Sequence, residues 1–333
     1  MSKPGFARVL GRTAAYVAAA AGLIWVFHDV EWAKLLSHIG GLDWRWVAVG
    51  VLLDLASYSS QGVRWRLLLK PLGDISVLQA IQAVYSGLFV NEVIPFHLGE
   101  IARAYPVSRW MATPLVAIVP SMALERLFDG IWLAAGIGIT AIFVPLPRNL
   151  LEAGDVFGLA MIALTAVLLY ILLKKAREPR ADLPDKSRGP RRWILMNLRT
   201  LEDGLRSIGL SRRSAAAFAV SFLMLLLQAL SFWFISKAYG LGVSFWVAGA
   251  VLIIVRLGTV IPGAPGNLGL YQLFCALGLN LLGVDKAASA GFSIVVYVLL
   301  SIPLWGLGFF AMGRTGMTLA TVKAKINERG ALT

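Results

Sequence analysis

Apolar runs of about 18 or more residues recur from one end of this chain to the other, and each could cross about 30 Å of hydrocarbon as a helix. Hydrocarbon offers backbone N–H and C=O groups no partners, so only helices or closed barrels can occupy it. Barrel strands would alternate inward and outward residues in blocks of about 10, and these runs do not alternate. The expected class is therefore all-α, a polytopic transmembrane helical bundle forming one integral membrane domain over 1–333. Composition agrees: 58% of the 333 residues are apolar and the mean hydropathy is +0.74, against about 45–50% apolar in soluble domains.

The net charge of +13 would raise nucleic acid as a partner for a soluble protein. Here the segment Lys174–Arg213 holds 12 basic and 5 acidic residues, a net of +7, so more than half of the excess lies in one loop. That is the positive-inside bias of a membrane protein, with anionic headgroups as its neighbours; no nucleic-acid partner is expected. One cysteine, Cys275, excludes an internal disulfide or a cysteine-built metal site, and His28, His38 and His97 are scattered. No metal and no cofactor are expected.

Six crossings stand out: Thr13–Phe27, Val47–Ser59 extending toward Leu69, Ser121–Val144, Val156–Leu173, Ala215–Ile235 and Ala288–Met312. The first has a basic start, but its apolar character runs past Ala18–Ala21, so it reads as an uncleaved span. Between Trp193 and Leu210, apolar residues recur at intervals of three and four among charged ones, the pattern of an amphipathic helix on the inner leaflet. The tryptophans, among them Trp25, Trp32, Trp44, Trp46, Trp65 and Trp110, fall mostly at span ends and read as an aromatic belt.

Charge also assigns sides. Lys3, Arg8 and Arg12 place the N-terminus in the cytoplasm, Arg64, Arg66 and Lys70 the end of span two, and Arg314, Lys323, Lys325 and Arg329 the C-terminus. Six crossings satisfy these constraints only if residues 76–118 and 244–284 each return to the side they left. Ser76–Val90 would be only about 22 Å long as a helix, and both segments turn at Pro and Gly: Asn91-Glu-Val-Ile-Pro95 through Gly99, and Ile261-Pro262-Gly-Ala-Pro265-Gly266-Asn267-Leu-Gly269. They read as two re-entrant broken hairpins. Residues 46–145 and 214–312 then form span–hairpin–span units of opposite orientation, an inverted repeat of the kind common in secondary transporters.

Charges inside apolar spans are costly and mark functional positions by default. Glu125 and Asp129 are four apart and share a helix face, with Arg126 about 100° away. Glu100 and Arg103 also share a face, and Arg256 stands alone in Val251–Val260. Two readings stand open. The ions could pair among themselves, Glu100 with Arg103 and Arg126 or Arg256 with Asp129 or Asp54, and only lock helices together. Alternatively Arg103, Arg126 and Arg256 line a cavity for an anionic headgroup, since the guanidinium fork suits phosphate and stays charged when buried. Glu100, Glu125 and Asp129 would then orient the arginines, while helix N-termini at Gly99 and Gly266–Gly269 add backbone donors. Asn91, Glu92 and Asn267 read first as turn residues, with a ligand role as the lesser alternative.

No GxSxG, GxxxxGK[ST] or metal-ligand cluster appears, and the missing nucleotide loop argues against an ATP-driven pump. Three ordered motifs, Asn91–Pro95 through Gly99-Glu100-Ile-Ala-Arg103-Ala-Tyr, Glu125-Arg126-Leu-Phe-Asp129, and Ile261–Gly269, resemble those of the lysylphosphatidylglycerol synthase transmembrane region, or flippase-like, family. The resemblance runs from about residue 10 to 315. It implies movement of a lipid between leaflets of the inner, cytoplasmic membrane: an anionic phospholipid, a polyprenyl-phosphate-linked lipid or a hopanoid. A homo-oligomer or a lipid-synthesis enzyme is the protein partner it suggests. The second glycine-rich motif of the family leads into a glutamate, where this chain has Gln272. The synthase members' soluble aminoacyl-transfer domain is expected to be absent, so a non-enzymatic permease is the leading expectation. An accessory or catalytic component of lipid-linked aminoacyl, glycosyl or hopanoid modification is the alternative.

Overall fold

The computed structural model describes residues 17, 19–26, 28, 39–94, 98–173, 201–260 and 264–317, and among these every regular element is helical. Nine helices follow in order: α1 (Trp44–Leu69), α2 (Val77–Val93), α3 (Gly99–Trp110), α4 (Leu115–Phe143), α5 (Arg148–Leu173), α6 (Arg212–Tyr239), α7 (Phe245–Gly258), α8 (Leu270–Leu281) and α9 (Lys286–Arg314). Two further stretches, 19–26 and 201–208, are also helical. Most of the expected first span, residues 174–200 of the basic loop, the C-terminal basic residues, Pro95 and Pro262 lie outside the described residues.

Small polar residues start the helices by accepting their free N–H groups. Asp43 accepts from Arg45 N–H, Ser211 from Ser214 N–H, Ser244 from Val247 N–H, and Asp285 from Ala287 and Ala288 N–H. Ser76 and Gln79 close a reciprocal capping box on α2. Four helices, α4, α5, α6 and α9, are long and apolar enough to cross a membrane. Helix α1 is as long, at 26 residues, but carries Asp54, Arg64 and Arg66. The protein is a polytopic α-helical membrane protein.

Helices α2, α3, α7 and α8 are shorter, at 17, 12, 14 and 12 residues, or about 25, 18, 21 and 18 Å. They form two hairpins, each between long helices, so the order long–short–short–long occurs twice. Packing follows the same division. Helix α1 lies along α6, and every other main contact among these eight helices has a counterpart when α1–α4 are exchanged for α6–α9: α2 on α9 with α7 on α4, α3 on α4 with α8 on α9, α1 on α9 with α6 on α4. Helix α5 stands outside this arrangement and packs on α4. Close crossings use glycine. A Cβ on Gly62 would meet the Ile81 backbone of α2 at 2.7 Å, and one on Gly308 the Tyr85 carbonyl at 2.8 Å, the small-residue packing of membrane helices.

The described part of the expected amphipathic helix, 201–208, turns its apolar side onto protein. Leu205 and Ile208 pack among Leu68, Leu124 and Ala217 of α1, α4 and α6. Cys275 is fully buried among apolar neighbours.

Candidate functional site

The two broken tips bring distant helices together. In the first hairpin Asn91 is still helical, and its Oδ1 accepts the N–H of Gly99 at 2.6 Å. The crossing there is tight: a Cβ on Gly99 would collide with Gly87 O and Asn91, and one on Gly87 would lie 2.6 Å from Gly99 O. In the second hairpin Pro265–Asn267 form one turn of 3₁₀ helix. Gly266, Asn267 and Gly269 have φ of 63°, 54° and 88°, a region open to glycine and tolerated by asparagine. Gln272, buried at the start of α8, accepts the N–H of Gly269 at 2.7 Å. An amide oxygen does there what a glutamate would do, without the charge. The N–H groups of Gly99 and Gly269, expected as headgroup donors, are thus already used by Asn91 and Gln272.

Against the second tip lies a cavity of about 200 Å³ at half height of the long helices. Asp54 and Tyr58 line it from α1, Glu92 from α2, Gln228 from α6, Arg256 from α7, Tyr271 from α8 and Tyr297 from α9, with Gly266 and Asn267 at the tip. Tyr297 donates to Gly266 O at 3.1 Å, Trp305 Nε1–H donates to Glu92 Oε2 at 2.8 Å, and a Cβ on Gly266 would collide with Glu92. Arg256 donates from Nη2 to Gln228 Oε1 and forms no ion pair among the described residues. Its Nη2 thus faces an uncharged amide, at the edge of a cavity that Asp54 and Glu92 also line.

The other two expected arginines are elsewhere. Arg103 and Arg126 belong to a ladder of alternating charge that joins α1, α3 and α4. Arg126 pairs with Glu100, which also accepts from Arg103 Nε at 2.9 Å and Nη2 at 2.6 Å. Arg103 Nη2 lies 2.7 Å from Glu125 Oε2, and Glu125 Oε1 accepts from Arg64 Nε at 3.2 Å. Arg64 closes the ladder on Asp129 and donates from Nη1 to Ser221 Oγ on α6 at 2.8 Å. The Arg103 guanidinium also lies 4.6 Å from the centre of the Trp65 ring, whose Nε1–H donates to Ser121 Oγ at 3.0 Å. Three arginines and three carboxylates balance.

Glu100–Arg103 pair as expected, but Asp129 takes Arg64 rather than Arg126 or Arg256. Arg64 was read as a cytoplasmic end marker and Trp65 as part of the aromatic belt. Both side chains are fully buried, because the polar face of α1 that carries Ser57 continues seven residues later, two helical turns on, at Arg64. Arg66 and Lys70, read the same way, do lie near the surface and pair with Asp74. Gln228, Tyr58, Tyr271 and Tyr297 carried no signal beyond being polar residues in apolar runs. Asp54 enters the sequence reading only as an alternative ion-pair partner, and Glu92 as a turn residue with a ligand role as the lesser alternative. Among the described residues no group of three or more His, Cys, Asp or Glu is placed to hold a metal.

Against this geometry the known proteins can be set. A family model described as the lysylphosphatidylglycerol synthase TM region matches residues 12–311. A UPF0104 membrane protein of Methanothermobacter thermautotrophicus is 21% identical over 283 residues, covering 79% of this chain and 81% of that protein. Glycosyltransferase AglD of Haloferax volcanii is 26% identical over 114 residues, which is 34% of this chain but spans only 18% of that protein.

Proposed function

The chain belongs to the lysylphosphatidylglycerol synthase transmembrane region family, and on that premise we propose that it is a flippase-like permease passing a lipid with a polar, anionic headgroup between membrane leaflets. The observation that carries this reading is the Arg256 cavity. It lies at half height of the long helices, joins both hairpins, and presents a guanidinium not neutralised by an ion pair. Phosphate is a group whose oxygens such a fork matches with two parallel N–H donors.

The two four-helix units are an inverted repeat, and their hairpins are re-entrant. The paired contacts between units support the repeat, and limbs shorter than about 30 Å support the hairpins. Broken backbone at such depth is tolerated where it is buried in protein or lines a cavity, as Gly266 and Asn267 do. The membrane is the inner one and both termini are cytoplasmic, following the basic loops. Arg103 and Arg126 hold α3 and α4 in register around the site, with Glu100, Glu125 and Asp129, rather than contacting the headgroup.

The test is translocation of a tail-labelled phosphatidylglycerol in reconstituted vesicles. Losing one charge-assisted contact of about 1.5–3 kcal/mol lowers the rate about 10- to 100-fold in Arg256→Ala. An unchanged rate would sink the headgroup assignment. The match to part of a glycosyltransferase favours one second reading, an accessory component of lipid-linked glycosyl modification. It requires binding of a sugar donor by the purified protein, which the permease reading does not.

A further inference from the structure

The cavity holds more acid than base: Asp54 and Glu92 against Arg256. Glu92 is engaged by the Trp305 indole N–H at 2.8 Å. Asp54 is different. It is only 6% exposed, it borders the cavity, and among the described residues it accepts no hydrogen bond and forms no ion pair. Arg256 is the one cation that lines the same cavity, and its Nη2 is turned to Gln228.

The other titratable groups around Asp54 add no positive charge. Tyr58 shares its helix, Tyr85 and Glu92 come from α2, Tyr271 from α8 and Tyr297 from α9, while α6 offers the uncharged Gln228. Tyr85 donates to Leu55 O at 2.9 Å, and Tyr297 to Gly266 O.

One guanidinium therefore serves two anions. A headgroup phosphate that takes the Arg256 fork cancels the one positive charge in the cavity and sets a second anion beside Asp54, so the carboxyl there holds a proton. We propose that Asp54 takes up a proton as an anionic headgroup binds Arg256 and releases it as the headgroup leaves, so that lipid and proton cross together. This rests on the headgroup reading above. One phosphodiester charge and one proton enter from the loading side and leave on the other, so the net charge of the site is the same empty and occupied. No covalent bond forms or breaks.

The test uses the purified full chain and phosphatidylglycerol, whose phosphodiester keeps its charge across the pH range. Adding the lipid to weakly buffered protein takes up close to one proton per lipid bound, read with an indicator dye. Wherever the empty site lacks the proton and the occupied site holds it, affinity rises about tenfold for each pH unit of acidification. Asp54→Asn flattens that slope, Asp54→Glu restores one, and Glu92→Gln keeps it. In vesicles a proton gradient accelerates translocation by the natural protein, whereas in Asp54→Asn the rates with and without the gradient are equal, whatever their absolute value. Binding and translocation without proton uptake, or a full slope in Asp54→Asn, overturn the coupling and leave the permease standing. A natural protein that neither binds nor moves the lipid at any pH sinks both. If Asp54→Asn fails to fold, the proton count on the natural protein and the Asp54→Glu slope still decide.

Discussion

Removing one charge from the Arg64 ladder strands its partner where water does not reach. Arg64 and Glu125 have side-chain exposures of 0% and 1%, and breaking a buried pair by deleting one member costs about 3–5 kcal/mol. Arg64→Met and Glu125→Gln are expected to lose stability of that order in denaturant unfolding in detergent. Unfolding of either variant near the natural protein would contradict the ladder. Outside the spans, the Lys70 ammonium hydrogen-bonded to Asp74, with Arg66 beside it, holds the Asp74 carboxyl below the usual carboxylate range. A lowered carboxyl stabilises fully above its unfolded value of about 4, and that contribution fades as pH falls through the lower folded value. Asp74→Asn should therefore loosen the α1–α2 corner slightly at neutral pH, measured as faster amide exchange there, and remove the acid-side pH dependence of that exchange. Such single-residue roles were the least legible in the sequence. Arg64 stands within a few residues of Arg66 and Lys70, and nothing local separates a buried guanidinium from two surface charges. Only the partners on α4 do so, and they are 61 and 65 residues away.

At the scale of elements the reading from sequence went much further. Long spans declare themselves through hydrophobicity: the expected Ser121–Val144 is α4, which begins earlier at Leu115 and ends at Phe143, and Ala288–Met312 is α9, extended at both ends. The extension comes from ends that apolarity does not mark, such as the Asp285 cap of α9. Broken hairpins were legible because limb length, proline and glycine agreed. What holds their limbs was not, since Asn91 reads as a turn residue yet acts as a clasp eight residues before its target. Asn91→Ala leaves the buried Gly99 N–H without its partner, a loss of about 1–3 kcal/mol. Gly99→Ala forces α2 and α3 apart at the Gly87 crossing, where overpacking typically costs about 1–3 kcal/mol. Both should accelerate hydrogen exchange in α3 before α1 and α6. Uniform acceleration across the chain would mean that the clasp is not local.

For the whole molecule, the arrangement around Arg256 depends on the hairpins entering from opposite sides. Parity of charge suggests it; the paired contacts of α1–α4 and α6–α9 do not test it, because a contact pattern has no inside or outside. Labelling of single cysteines in a Cys275→Ser background supplies the sides. Asp74→Cys, at the exposed α1–α2 corner, should react with a membrane-impermeant maleimide only from the cytoplasm, and Leu281→Cys, 55% exposed at the end of α8, only from outside. The tips then separate re-entry from crossing. Were α2–α3 a pair of full spans, Val93→Cys would label from the face opposite Asp74→Cys; in a re-entrant hairpin it is closed to that face. Leu268→Cys distinguishes the second hairpin in the same way, against Leu281→Cys. Labelling of both tips from the far face would make the protein a bundle of plain crossings. The cavity would then lie near one surface, where a headgroup could dock without moving between leaflets.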